Sequence, residues 1–228
     1  MNAFEMMKHI GFGNYTQEVR PVTYDLSEHI ESDGGIVFVG DYCYIGDRTR
    51  GAVAKYDTDF NYISEFVGIA QTTLEAMTAD GIDLHIFMQS NSISEAIDVY
   101  STSGTLISHT LIGLSNAVTY NNGYYYGQPT SPGRIRKYNL SGTYAGQEWD
   151  LSNLYSNFYS IHFFDGFYYA LFQSSADIIK LNENFEVVGS SPHGLYIAET
   201  ITSHNGLLYV RGGTLINRGY MIYTYPVF

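Results

Sequence analysis

The residues of this chain that could do chemistry are its seven histidines, its single cysteine, its arginines and its twenty-three acidic residues. The histidines show neither His-x-x-x-His nor His-Glu-x-x-His spacing, the arrangements that set two imidazoles on one face around zinc. Cys43 has no partner for a disulfide and stands in an alternating apolar run, where a thiol packs as a small hydrophobe. No Gly-x-Ser-x-Gly turn and no Gly-rich phosphate loop is present. Covalent, metal and cofactor chemistry thus have no signature, and no cofactor is expected. Hydrolysis by paired carboxyls needs two acids at a set separation. Glu28, Glu31, Asp33, Glu75, Asp150 and Glu199 are the candidates, and no two of them form a recognisable signature.

Binding chemistry is better represented. Arg48, Arg50, Arg134, Arg136, Arg211 and Arg218 lie near turns, and a guanidinium grips carboxylate or phosphate through two parallel hydrogen bonds. The 22 tyrosines, with abundant Ser, Asn and Gly, give the composition of a recognition surface. Trp149, with Tyr155 and Tyr159 close by, offers an aromatic face for a sugar. A net charge of −12 disfavours nucleic acid and anionic membranes as partners. No apolar run approaches a membrane span, and Met1-Asn2-Ala3-Phe4-Glu5 lacks the basic start of a signal peptide. The expected setting is the cytoplasm or a virion surface.

The elements that must position these groups follow from a repeat. A turn and an aromatic or apolar strand recur five times, at Gly40-Asp41, Asp80-Gly81, Asn122-Gly123, Asp165-Gly166 and Asn205-Gly206. The copies stand about 40 residues apart, the length of one propeller blade. Asp-Gly and Asn-Gly favour tight hairpins because both central residues need positive φ. A second run follows each copy: Val53 to Asp57, Ile97 to Ser101, Ile135 to Asn139, Ile178 to Asn182 and Ile222 to Pro226. Short strands before the Gly turn and after the second run complete four per repeat. The predicted fold is an all-β, five-bladed propeller of four-stranded antiparallel blades, spanning residues 13–228; a β-sandwich is the alternative. Strands a to d run from the axis outwards. The last repeat ends after strand c, so a segment from about Tyr15 to Val22 is expected to supply its outer strand. Residues 1–12, with Phe4, Met6, Met7 and Ile10 near one side, read as a short helix that docks on another subunit or folds back on the propeller.

The blades resemble the NHL, YVTN and gluconolactonase-like propeller repeats. The likeness rests on the turn–strand motif and on Gly133-Arg134-Ile135-Arg136-Lys137-Tyr138-Asn139, which is similar to the Arg-Ile-x-x-Phe-Asp core of an NHL blade. It implies the fold and carries no activity over. On this fold the arginines fall at the b–c connections, which share one face with the d–a connections. That face is expected to bind an anionic glycan or an acidic protein surface, with Trp149 contributing. His162 takes the inner-strand place held elsewhere by Thr78, Thr119 and Thr202, and could face the axis. The expected function is a non-enzymatic binding or assembly module, such as a phage or viral receptor-recognition protein. A hydrolase or lactonase acting at the axial channel and a purely structural subunit are the alternatives.

Overall fold

The structure is a computed structural model that describes residues 23–32, 34–68, 73–89, 95–114, 116–155, 157–173, 175–195, 197–213 and 221–228. Met1–Phe12, Tyr15–Val22, Asp33 and Arg218 lie outside the described residues. β1 (Thr23–Asp25) comes first. Blade 1 follows with β2 (Ile36–Val39), β3 (Tyr42–Asp47), β4 (Ala52–Tyr56) and β5 (Tyr62–Val67). Blade 2 is β6 (Thr73–Ala79), β7 (Leu84–Gln89), β8 (Ala96–Tyr100) and β9 (Leu106–Leu111). Blade 3 is β10 (Asn116–Asn121), β11 (Tyr124–Gln128), β12 (Arg134–Asn139) and β13 (Tyr144–Asp150). Blade 4 is β14 (Phe158–Phe164), β15 (Phe167–Phe172), β16 (Asp177–Leu181) and β17 (Val187–Pro192). β18 (Ile197–His204), β19 (Leu207–Gly213) and β20 (Met221–Pro226) begin blade 5, and β1 completes it from the other end of the chain.

That closure pairs Thr23 with Tyr223 and Asp25 with Met221, antiparallel. The inner strands β2, β6, β10, β14 and β18 pack side by side in that order, and β18 closes on β2. A ring of five is the result; two stacked sheets would show no such cycle. Closure gives β20 a partner that it would otherwise lack as an edge strand.

Local chemistry explains the hairpins. In the a–b turns of blades 3, 4 and 5, Asn122-Gly123, Asp165-Gly166 and Asn205-Gly206 both carry positive φ, between 48° and 80°, as a type I′ turn requires. The c–d turns are held by side chains. Asp57 Oδ1 accepts from the backbone N–H groups of Asp59 and Asn61. Asn139 and Asn182 do the same for Ser141 and Thr143, and for Asn184 and Glu186. In blades 1, 3 and 4 the short polar residue that ends strand c therefore folds the backbone into the next turn.

Five apolar clusters fill the five seams between blades. Tyr126 with Tyr168, Phe172 and Phe185 packs blade 3 on blade 4. Cys43, fully buried among Ile36, Ile45 and Tyr209, packs blade 1 on blade 5, where desolvation raises its thiol pKa well above the ordinary value. Lys55, Lys137 and Lys180 lie on strand c with Nζ 3.6, 3.9 and 4.0 Å from the ring centroids of Tyr42, Tyr124 and Phe167. The lysines of three blades thus cover rings of the adjacent strand, a cation–π arrangement that keeps them close to the sheet.

Candidate functional site

The inner strands carry the polar residues nearest the axis. Cross-strand register puts Val37, Thr78, Thr119, His162 and Thr202 in one equivalent place. Thr78 Oγ1 accepts from Tyr120 N at 3.0 Å, and Thr119 Oγ1 accepts from Phe163 N at 3.1 Å, each reaching the next blade. His162 makes the same reach: its Nε2 shares a 2.8 Å hydrogen bond with Ser203 Oγ. Burial pushes the His162 pKa down to about 4, so the ring is neutral at pH 7 and acts as a link between blades 4 and 5.

Three residues before that ring, at the end where the b–c and d–a connections emerge, the ladder breaks. β-bulges fall between Leu74 and Ala76, between Phe158 and Ser160, and between Ala198 and Thr200. The residues left out of register are Glu75, Tyr159 and Glu199, in blades 2, 4 and 5. In blade 3 the irregularity sits one residue later, at Ala117, whose φ is +28°. A bulge frees a side chain from the alternation of the sheet and re-aims it, and bulges gather beside functional sites. Glu75 and Glu199 therefore hold the same place on either side of blade 1. Tyr159 is 40% exposed at the corresponding place in blade 4. Beside it runs a chain of amides: Gln128 Oε1 accepts from Phe158 N at 2.9 Å, and Asn157 Nδ2 donates to Gln173 Oε1 at 3.0 Å. The starts of these inner strands thus carry two carboxylates and one open phenol ring beside a hydrogen-bonded run of carboxamides, groups of a kind that bonds hydroxyls.

The arginines are arranged differently from the expected cationic patch. Arg48 Nη2 donates to Glu75 at 2.5 Å, across from blade 1 to blade 2. Arg50 pairs with Glu65 at 2.5 Å and donates to the carbonyl of His29. Arg134 meets Glu148 at 2.6 Å and Asp150 at 3.1 Å, while Arg136 meets Glu148 at 2.5 Å. The Arg136 guanidinium leads in holding the Glu148 carboxyl below its ordinary pKa. Arg211 is fully buried in mid-strand, donating to the carbonyls of Ser32 at 2.8 Å and Gly46 at 3.4 Å, and so ties blade 5 to blade 1. Arg48 and Arg50 stay in blade 1 and Arg134 and Arg136 in blade 3, so the set does not converge on one spot. Asp47, beside Arg48 in the sequence, instead accepts from Glu31 N, Ser32 Oγ and Arg50 N.

Trp149 also stands elsewhere than expected. It belongs to the outer strand β13 and packs on Phe185 at 4.7 Å and Tyr126 at 6.1 Å, in the seam between blades 3 and 4. Tyr155 stacks on Phe172 at 3.8 Å. Of the three aromatics proposed as a platform, Tyr159 is the one among the exposed large side chains. Glu75 and Glu199 are two of the six acids singled out in the sequence; what sets them apart from the other four is that each precedes a ring threonine by three residues, as Tyr159 precedes His162.

No family model matches the chain, and no curated protein matches it either. Among solved structures it is similar to a glutaminyl cyclase from Myxococcus xanthus, with a TM-score of 0.69 and 12% identity over 89% of this chain and 93% of that one. It is also similar to a protein of unknown function from Bacteroides caccae, with a TM-score of 0.55 and 15% identity over 81% of this chain and 72% of that one. A streptogramin B lyase gives a TM-score of 0.51 and 16% identity over 93% of this chain and 75% of that one. What the chain shares with them at such identities is its fold, and the fold is a β-propeller.

Proposed function

We propose that this protein is a non-enzymatic binding module that takes a neutral, polyhydroxylated ligand, a glycan chain, at the axial mouth on its b–c and d–a face. The observation that carries the reading is the bulge shared by β6, β14 and β18, which releases Glu75, Tyr159 and Glu199 from the ladder at one level. A part-exposed phenol ring gives a sugar ring its apolar face, and carboxylates and amides accept and donate to its hydroxyls. The ion pairs weigh against an acidic ligand. An anionic sugar would have to displace Glu148 or Glu65 from the exposed guanidiniums. The virion-surface setting is one in which such a module works, and it draws on surface composition alone. Binding to an array of neutral and acidic oligosaccharides tests the proposal. Tyr159→Ala and Glu75→Gln should each remove the neutral-glycan signal, and Arg134→Ala should leave it intact. A signal confined to acidic glycans and lost in Arg134→Ala would restore the arginine face and end this reading.

The two carboxylates at equivalent bulges also support a second reading, hydrolysis of the bound chain. Release of reducing ends from a bound oligosaccharide, abolished by Glu75→Gln or Glu199→Gln, would identify it.

A further inference from the structure

The opposite end of the propeller has a different character. Of the fifteen large apolar side chains that stand exposed among the described residues, all but Val67, Leu111, Leu154 and Tyr159 lie in the a–b and c–d turns or in the first two residues of the strand that follows, seven of them on outer strands. Ile82 is the extreme case, 73% exposed at the tip of the a–b turn of blade 2. Tyr42 and Leu207, 41% and 37% exposed, follow the same turn in blades 1 and 5. Tyr124 and Phe167, part-exposed, follow it in blades 3 and 4. The residue after the a–b turn is thus apolar or aromatic in four of the blades, exposed in blades 1 and 5 and part-exposed in blades 3 and 4, and blade 2 presents Ile82 instead. Soluble monomers scatter exposed apolar side chains singly; a concentration of them on one face marks an interaction surface.

Acidic groups outnumber basic ones at this end. Asp41, Asp80 and Asp165 stand in a–b turns, and Asp59, Glu183 and Glu186 in c–d turns. Among the described residues the lysines and arginines at this end are Lys55, Lys137 and Lys180, each laid over a ring. The described arginines all stand at or towards the other end. A second copy would bring carboxylates against carboxylates, and an anionic membrane would be repelled in the same way.

We infer that the face built from the a–b and c–d turns is a protein-docking surface for a partner segment that combines apolar side chains with lysine and arginine. Apolar and charged groups alternate across this face, so a partner gains by offering both apolar contact and basic groups, and the acidic turns select the basic ones by complementarity. This surface is separate from the axial mouth and does not depend on the ligand proposed there.

The test uses three synthetic peptides with the same helical pattern: leucine with lysine, leucine with glutamate, and serine with lysine. Binding to the full chain is read by fluorescence anisotropy. The leucine–lysine peptide should bind, and the other two should bind at least about tenfold more weakly, a difference of ~1.4 kcal/mol. The double variant Ile82→Ser/Leu207→Ser should lose about tenfold in affinity for the leucine–lysine peptide while the net charge is unchanged. Val67→Ser/Leu154→Ser, on the other end, should lose nothing. Equal binding of the serine–lysine peptide would show charge attraction alone and overturn the proposal. So would an unaffected Ile82→Ser/Leu207→Ser variant with a native circular dichroism spectrum, or a self-associating wild type whose dimer that variant dissolves.

Discussion

At the scale of single residues, the inner ring separates hydroxyls that work from hydroxyls that do not. Thr78 and Thr119 each accept a backbone N–H from the next blade, whereas Thr200 Oγ1 and Thr202 Oγ1 are buried with no hydrogen-bond partner among the described residues. An isosteric methyl at Thr78 or Thr119 strands a backbone donor, which costs about 1–3 kcal/mol. Thr78→Val and Thr119→Val should therefore lower the urea midpoint, and Thr202→Val should leave it unchanged or raise it. His162 adds a pH dependence whose sign follows from its environment. Its pKa lies at about 4 in the folded chain against 6.5 for the ordinary imidazole, so between those values the unfolded chain binds the extra proton. Stability must then fall as pH falls from about 6.5 to about 4, and be fully present above that window. His85, His193 and His204 are shifted in the same direction by burial and reinforce the trend. Replacing His162 with Asn should flatten part of this slope in urea titrations run across the window.

At the scale of elements, the outer strands of blades 1 and 2 are guarded by the c–d turn of the next blade. Gly104 of blade 2 lies against the Phe66 ring of blade 1, and Gly142 of blade 3 lies against the Leu111 carbonyl of blade 2. A methyl on Gly142 would fall 1.9 Å from that oxygen, at a φ of +76°. Gly123 has a similar φ of +80° and open space around it. Gly123→Ala should therefore cost only the backbone strain, about 1 kcal/mol. Gly142→Ala should cost clearly more, because a backbone carbonyl must move as well, and thermal unfolding of the two variants gives the comparison. These hairpins and Asx-capped turns were legible in the sequence, since Asn-Gly, Asp-Gly and the Asp or Asn closing strand c act through their own backbones. The position of Trp149 was not legible. Whether Tyr144–Asp150 continues a strand or opens a loop depends on its pairing with β12, where Ile135 faces Trp149, and no local rule decides that pairing.

At the scale of the whole molecule, closure is the central feature. Removing the chain through Asp25 strips β1 from β20 and takes the Tyr24 ring from Phe60, its neighbour at 4.3 Å. Such a truncation should unfold at a lower temperature and less cooperatively in calorimetry than the full chain. The number of blades and their four strands were legible in the sequence, because a turn–strand motif recurs five times with a period of about 40 residues. The ring does close with an N-terminal strand on the last blade, but that strand is Thr23–Asp25, after the Tyr15–Val22 segment expected to supply it. The sequence also set which residues fall near the b–c connections. Tertiary structure alone decided what those residues do. Arg211 turns into the seam with blade 1, Arg134 and Arg136 meet Glu148 across a strand pair, and three bulges lift Glu75, Tyr159 and Glu199 out of the ladder. The uneven distribution of exposed apolar groups has the same origin. A side chain on an outer strand is covered or open according to where the neighbouring blade ends, and that is a property of packing between repeats that no single repeat contains.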